Sequence, residues 1–231
     1  MRNGPDIAAT AALIGDPARA AMLSALMDGH ALTATELAAE GGVTPQTASA
    51  HLAKLERGGL LARARQGRHS YFRLASADVA QVLEALMTLS HGTGPRRTRP
   101  GPRDAALRVA RVCYNHLAGA EGVALFEALR GGGALRKDDD ILRITDRMRP
   151  ALAPLGVDPA ALPGQSAMCR TCLDWSERRH HLAGRLGRAI LSAMEAKAWV
   201  RRDPASRAVV ILPKGRIGID RVIGLAAANA I

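Results

Sequence analysis

Residues 41–59 read GGVTPQTASAHLAKLERGG, and this stretch decides the fold of the first third of the chain. Thr44 followed by Pro45 is a helix start, with a hydroxyl at the N-cap and proline in the first turn, where its missing N–H costs nothing. Gly58-Gly59 stops the helix. Wound at about 100° per residue, Ala48, His51, Leu52 and Leu55 fall within an arc of about 100° and make a core stripe. Gln46, Ala50, Ala53 and Arg57 lie opposite, with Thr47, Ser49 and Lys54 on the flanks. That outer face is polar and small rather than uniformly charged. A helix of this kind can enter a major groove and offer amide and hydroxyl groups to base edges.

The flanking sequence supplies the rest of the motif. Ile7–Ile14 reads as a helix ended by Gly15; Asp16-Pro17 starts another with Ala21, Met22, Leu23, Leu26 and Met27 as its apolar stripe. Thr33 or Thr35 caps a short helix over residues 36–40, and Gly41-Gly42 makes the turn into the helix at 44–57. Two β runs follow, 60–65 and 70–74, joined by the tight basic Gln66-Gly67-Arg68-His69. Residues 77–89 are again helical, with Val79, Val82, Leu83, Leu86 and Met87 on one side. Helix, short helix, tight turn, helix and hairpin is the order of a winged helix-turn-helix. The candidate DNA-contacting set is Gln46, Thr47, Ser49 and Ala50 toward the bases, and Thr44, Lys54 and Arg57 toward phosphates. Arg65, Gln66, Arg68 and His69 at the hairpin turn would reach the neighbouring backbone or minor groove. Tyr71 and Phe72 are expected to pack the hairpin, and His51 to be a hydrogen-bonded packing residue. A merely solvated amphipathic helix would leave the basic hairpin turn unexplained.

Over roughly residues 7–89 the sequence resembles the ArsR family of bacterial repressors. The resemblance is carried by Leu13-Ile-Gly-Asp-Pro-Ala-Arg19 with Leu23 and Leu26, Thr35-Glu-Leu-Ala38, Val43-Thr-Pro-Gln-Thr-Ala-Ser49 with His51-Leu52 and Leu55, Gly59-Leu60-Leu61, and Gln66-Gly67-Arg68 with Tyr71-Phe-Arg-Leu74. It implies a homodimer formed through the first helix and residues 77–89, a pseudo-palindromic operator, and release of DNA when a small inducer binds. Two departures matter. The short helix holds Glu36-Leu-Ala-Ala-Glu40 where thiolate-sensing members place Cys-x-Cys. Residues 78–80 are Asp-Val-Ala, without the histidine of the zinc-sensing site. Any sensor must be elsewhere.

Composition agrees with a nucleic-acid partner. The 231 residues carry a formal net charge of +11, which favours a polyanion by long-range attraction and counterion release. Within residues 44–73, Lys54, Arg57, Arg63, Arg65, Arg68 and Arg73 face a single acid, Glu56. Aromatics are 3%, so the core is aliphatic. No apolar run reaches the ~18–20 residues of a membrane span, and no secretory signal is visible. Three cysteines are too few for a disulfide scaffold, and a cytoplasmic, nucleoid-associated protein is expected.

The expected fold class is α+β, mainly α with small β-hairpins. Residues 1–90 form the winged helix-turn-helix and dimerisation domain, 91–103 a Gly/Pro/Arg linker, and 104–231 a sensor domain. That last part carries an internal repeat over about 107–157 and 169–224: His116-Leu-Ala-Gly119 recurs as His181-Leu-Ala-Gly184, and Gly122 matches Gly187 at the same offset. Each copy reads helix, short hairpin, helix. All three cysteines lie here. Cys113 with His116, and Cys169 with Cys172, stand three apart on a predicted helix, and His181 follows. These residues could hold zinc or a soft metal or metalloid ion, or form a redox bridge, or be ordinary buried thiols; no cofactor is required by the DNA-binding reading. The stripe with Met168, Trp175 and Trp199 is core or the wall of an effector pocket. Asp138-Asp-Asp140 reads as a solvated turn.

The function expected is therefore a DNA-binding transcriptional regulator, an inducer-released homodimeric repressor without enzymatic activity. The alternative is a thiol- or metal-handling protein or enzyme in which the winged helix serves protein contacts. It would need a catalytic base near Cys113 or Cys172, and no phosphate-cradling loop or paired carboxylates are visible.

Overall fold

A computed structural model of the chain describes residues 5–66, 69–93, 102, 104–138, 141–204 and 206–228. Two compact units result, Met1–Leu83 and Glu84–Ile231. Residues 94–101 and 103 of the expected Gly/Pro/Arg linker, with Arg68 of the wing turn and Asp139-Asp140, lie outside the described residues.

In the first unit α1 spans Ile7–Ile14, and α2 spans Pro17–Ala25 with a 3-10 turn over Leu26–Asp28. β1 is Leu32–Thr33, α3 Ala34–Gly41, α4 Pro45–Arg57, β2 Leu61–Gln66 and β3 His69–Leu74; α5, Ala77–Thr93, crosses into the second unit. Each helix start has its cause in a side chain. Asp16 accepts from the Arg19 N–H at 3.0 Å, and Thr44 from the Thr47 N–H at 3.3 Å. Thr33 and Glu36 form a reciprocal capping box, and the hydrogen bonds from Thr33 hold the Glu36 carboxyl below its usual pKa. The strands pair antiparallel in the order β1-β3-β2. Met22, Leu23, Leu26, Leu37, Ala38, Leu52, Leu55, Phe72 and Leu74 form the core. Leu52 and Leu55 each contribute about 1.5–3 kcal/mol by leaving water. Along α5 the buried edge is Ala80, Leu83 and Glu84, whereas Val82 and Leu86 are exposed. The expected stripe is thus rotated, and a carboxylate sits within it.

The second unit begins with the end of α5 and continues through α6 (Ala105–Val109), β4 (Arg111–Cys113), β5 (His116–Ala118), α7 (Ala120–Gly131), β6 (Leu135–Asp138), β7 (Ile141–Ile144) and α8 (Met148–Leu152). After two 3-10 turns come β8 (Arg170–Leu173), β9 (His180–Ala183), α9 (Gly184–Ala196), β10 (Val200–Arg202), β11 (Val209–Ile211) and α10 (Pro213–Ala228). Each half therefore opens with a β-hairpin where the residue spacing suggests a helix: the order is hairpin, helix, hairpin, helix. The halves exchange contacts, α7 packing on β9 and α9 on β5. One aliphatic core runs through both, from Val112, Phe126 and Leu129 to Leu186, Ile190, Met194 and Trp199.

The close approach of helix to hairpin requires glycine at matching places. A Cβ on Gly122 would stand 2.4 Å from the Leu117 carbonyl oxygen, and one on Gly187 2.4 Å from that of Leu182. Gly187→Ala is expected to destabilise the second unit by about 1–3 kcal/mol in urea denaturation, because backbone must move. Gly224→Ala, with open space around its Cβ on the helix α10, should be neutral or stabilising by up to about 1 kcal/mol. Equal effects of the two would contradict this packing.

Candidate nucleic-acid interface and cysteine–histidine cluster

On α4 the inward residues Ala48, Leu52 and Leu55 are 0%, 1% and 0% exposed. Thr44, Gln46, Thr47, Ser49, Ala50, Lys54 and Arg57 are all exposed, as are Arg65 and Gln66 at the end of β2. His69 pairs with Gln66 across the ladder. Several polar groups on this face are already committed. The Ser49 hydroxyl donates to the Pro45 carbonyl at 2.9 Å, leaving lone pairs outward, and the Thr44 and Thr47 hydroxyls share a bond of 2.9 Å. Gln46 makes no hydrogen bond among the described residues. His51 is half-buried with Nδ1 3.2 Å from the Arg19 guanidinium, a packing role as expected. Phe72 is buried under the hairpin, with the Arg63 guanidinium 5.7 Å from its ring centroid; Arg63 also donates to Ser70. A concavity of about 360 Å³, bordered by Thr35, Ser49, Ala53, Glu56, Arg63 and Phe72, joins α4 to the wing in one surface.

The second unit gathers sulfur and imidazole. A two-residue Tyr114-Asn115 turn, with Tyr114 at φ +57°, sets Cys113 opposite His116 across β4 and β5. Cys172 stands opposite His181 across β8 and β9. Because β5 packs beside β9, the two cross-strand pairs meet. The four buried ligand atoms lie within 4.8 Å of one another. The Cys113 and Cys172 sulfurs are 3.9 Å apart, and the two Nε2 atoms of His116 and His181 3.1 Å apart.

The pairing arises from hairpins and not from a helical face. On extended chain, residues three apart point to opposite sides. Cys169 consequently parts company with Cys172 and sits in the aliphatic core, where burial pushes its thiol up to about 11. A three-cysteine site is not formed. Cys113 is raised further, first by its hydrogen bond with Cys172 and then by burial. Neither thiol resembles the part-exposed, low-pKa nucleophile of a thiol enzyme.

Asp174, Ser176, Arg111 and Glu84, none of them among the expected site residues, surround it. Asp174, fully buried, accepts through Oδ1 from Arg111 at 2.8 Å and from the Ser176 hydroxyl at 2.7 Å, and through Oδ2 from the Gly119 N–H at 2.7 Å. Burial pushes its carboxyl up, but Arg111 and these hydrogen bonds outweigh that and hold it well below the usual range. His181 Nδ1 has no hydrogen-bond partner among the described residues, yet lies 3.5 Å from Asp174 Oδ2. Arg111 is 1% exposed and stacks at 5.1 Å over Trp175. Glu84, the residue at which the second unit begins, accepts from Cys113 Sγ at 3.3 Å; its other oxygen is buried without a partner among the described residues. A carboxylate inside the apolar stripe of α5 is the one signal that could have marked it beforehand.

Residues 14–64 match a family model described as a helix-turn-helix domain. The chain is 38% identical over 218 residues to an uncharacterized HTH-type transcriptional regulator, YdfF, of Bacillus subtilis (strain 168), covering 94% of this chain and 96% of that protein. Among solved structures, reduced HlyU from Vibrio cholerae is 26% identical over 36% of this chain and 85% of its own, with a TM-score of 0.33. The cadmium sensor CMTR from Mycobacterium tuberculosis is 28% identical over 42% of this chain and 99% of its own, with a TM-score of 0.32.

The buried ion pair next to the cluster gives a direct stability test. Arg111→Met would strand the Asp174 charge and is expected to cost about 3–5 kcal/mol in the unfolding of the second unit. Since the folded carboxyl is held low, its contribution is complete above pH ~4 and fades as the pH falls below that. A variant with parental stability from pH 7 down to pH 3 would contradict the pairing.

Proposed function

The chain belongs to the family of HTH-type transcriptional regulators represented by its Bacillus subtilis relative, and from that premise we propose how its geometry reads DNA. It is a DNA-binding transcriptional regulator. The observation that carries the reading is the division of α4: three sealed aliphatic residues behind, seven exposed amide, hydroxyl, methyl and cationic residues in front. Gln46 is suited to pair in bidentate fashion with adenine. Ser49, its proton committed to the Pro45 carbonyl, meets a base as acceptor and so selects the exocyclic amines of adenine or cytosine. Thr47 and Ala50 give methyl contacts. The α4 N-terminus at Thr44, with Lys54 and Arg57, anchors phosphates, and Arg65, Gln66, Arg68 and His69 bring the wing to the neighbouring backbone.

The working form is a homodimer of the ArsR type on a pseudo-palindromic operator, with half-sites about 34–36 Å apart. Two features support it. α1 is apolar yet buries no residue, Ile7 being 78% exposed, and α5 exposes Val82, Leu86 and Leu89 at a spacing of four and three. Such an apolar surface is a subunit interface in waiting. The protein acts as a repressor, and the second unit receives the effector that releases it, at the cluster of Cys113, His116, Cys172 and His181. No described helix is long and apolar enough to cross a membrane.

Binding of the full chain to its own upstream region, followed by fluorescence anisotropy across a salt series, tests the reading. Gln46→Ala and Ser49→Ala should each cost about 1–3 kcal/mol and relax the base preference at one position per half-site. Lys54→Ala should weaken all sequences alike and lower the salt slope by about one. If both classes of change leave promoter binding untouched, α4 is not the reading helix.

A further inference from the structure

We propose that Cys113, His116, Cys172 and His181 form a closed four-ligand site for one tetrahedral divalent ion of the zinc type, and that Glu84 passes its occupancy to α5. The ion site stands on its own geometry; the coupling step rests on the regulator reading above.

Four observations assign the ion. With metal–sulfur bonds of about 2.3 Å and metal–nitrogen bonds of about 2.0–2.1 Å, a tetrahedron has a sulfur–sulfur edge of about 3.8 Å and a nitrogen–nitrogen edge of about 3.3 Å. The cluster shows 3.9 Å and 3.1 Å. Both imidazoles aim Nε2 at the same point, while their far nitrogens face oxygen: His116 Nδ1 is 3.4 Å from Asn115 Oδ1, and His181 Nδ1 3.5 Å from Asp174 Oδ2. A carboxylate on the far side of a ligating histidine is a common outer-sphere arrangement, present here at ion-pair distance and without a hydrogen bond. Two thiolates cancel the charge of a divalent ion, and Asp174 is already balanced by Arg111, so the loaded site adds no net charge to the interior. Two sulfurs with two imidazoles suit zinc or its softer congener cadmium, and are poor for magnesium or calcium. A Cys113–Cys172 disulfide would need the sulfurs, now 3.9 Å apart, to close to about 2.05 Å, and it would use neither imidazole.

Loading has a consequence at Glu84. As the two metal–sulfur bonds form, the thiol protons of Cys113 and Cys172 pass to solvent. The bond that Cys113 donates to Glu84 Oε2 is then lost, and a carboxylate whose other oxygen has no partner among the described residues faces a metal-bound sulfur. Glu84 must be repositioned. It lies on α5, whose first seven residues, 77–83, belong to the DNA-reading unit.

The test uses reduced, anaerobically handled full-length protein. Elemental analysis after zinc loading and desalting should give one zinc per chain. Titration with Co2+ should give the intense visible bands of tetrahedral cobalt, with thiolate charge transfer, saturating at one equivalent. Cys172→Ser and His181→Gln should weaken Co2+ binding at least tenfold, while Cys169→Ser keeps one tight equivalent. Should Cys172→Ser fail to fold, the cobalt spectrum of the parent protein still decides. Weak octahedral-type absorption, no saturation, or equal loss in Cys169→Ser would overturn the site. In anisotropy, zinc should change operator affinity about tenfold or more in the parent and less than twofold in Glu84→Gln, which still binds one zinc. Tight zinc with unchanged operator affinity overturns the coupling alone. A protein that binds zinc but no promoter DNA sinks the regulator reading and leaves the ion site standing.

Discussion

Everything that α4 can offer to a duplex depends on how firmly its back is held. Ala48, Leu52 and Leu55 are sealed against α2, α3 and the hairpin, and that burial fixes the rotation of the helix about its own axis. A turn of about 100°, the step of one residue, would swing Gln46 to the side and bring a leucine toward the outward arc. The clamp is reinforced by Arg19, whose guanidinium donates to the Leu13 and Ala12 carbonyls at the end of α1 and approaches His51 on α4. One cation thereby ties three helices, and Asp16, the cap of α2, stands 3.7 Å from it. The groups left outward over the first half of α4, Gln46, Thr47, Ser49 and Ala50, are short beside Lys54 and Arg57 of its last turn.

The second unit solves a harder problem, bringing sulfur and imidazole from distant hairpins to one point in a dry interior. Cross-strand pairing does the first half of the work, because opposite residues in a narrow ladder are held side by side. Arg111 and Asp174 do the second half. Their buried pair pins β4 to the β8–β9 turn, and the same carboxylate caps the Gly119 amide before α7. A buried pair of this kind adds little to stability by itself, yet losing one member is costly, which makes it a device for fixing position. Glu84 stands apart, one oxygen accepting from Cys113 and the other without a partner among the described residues.

The two halves of the chain differed in how much could be read beforehand, for physical reasons. In the first, every signal is local: Thr44-Pro45, the Thr33/Glu36 box, Gly41-Gly42 and the aliphatic spacing through Leu52 and Leu55 all lie within one or two turns of what they determine. In the second, Cys113-x-x-His116 is compatible with one face of a helix and with a two-residue hairpin turn. Only the left-handed Tyr114 separates these, and no tyrosine advertises that conformation. The spacing of Cys169 and Cys172 is ambiguous for the same reason, since a period of 3.6 puts them together and a period of 2 separates them. Arg111, Asp174 and Ser176 assemble across more than sixty residues of chain, beyond the reach of any local pattern. Glu84 was legible in principle, as a charge inside an apolar stripe.

The most direct test of the account is where the protein touches DNA. Upstream-region DNA carrying photoreactive halogenated bases, crosslinked to the full chain and mapped by mass spectrometry, should place its adducts on residues 46–50 of α4 and on the wing strands. Crosslinks confined to residues 104–228, with α4 unmarked, would contradict it.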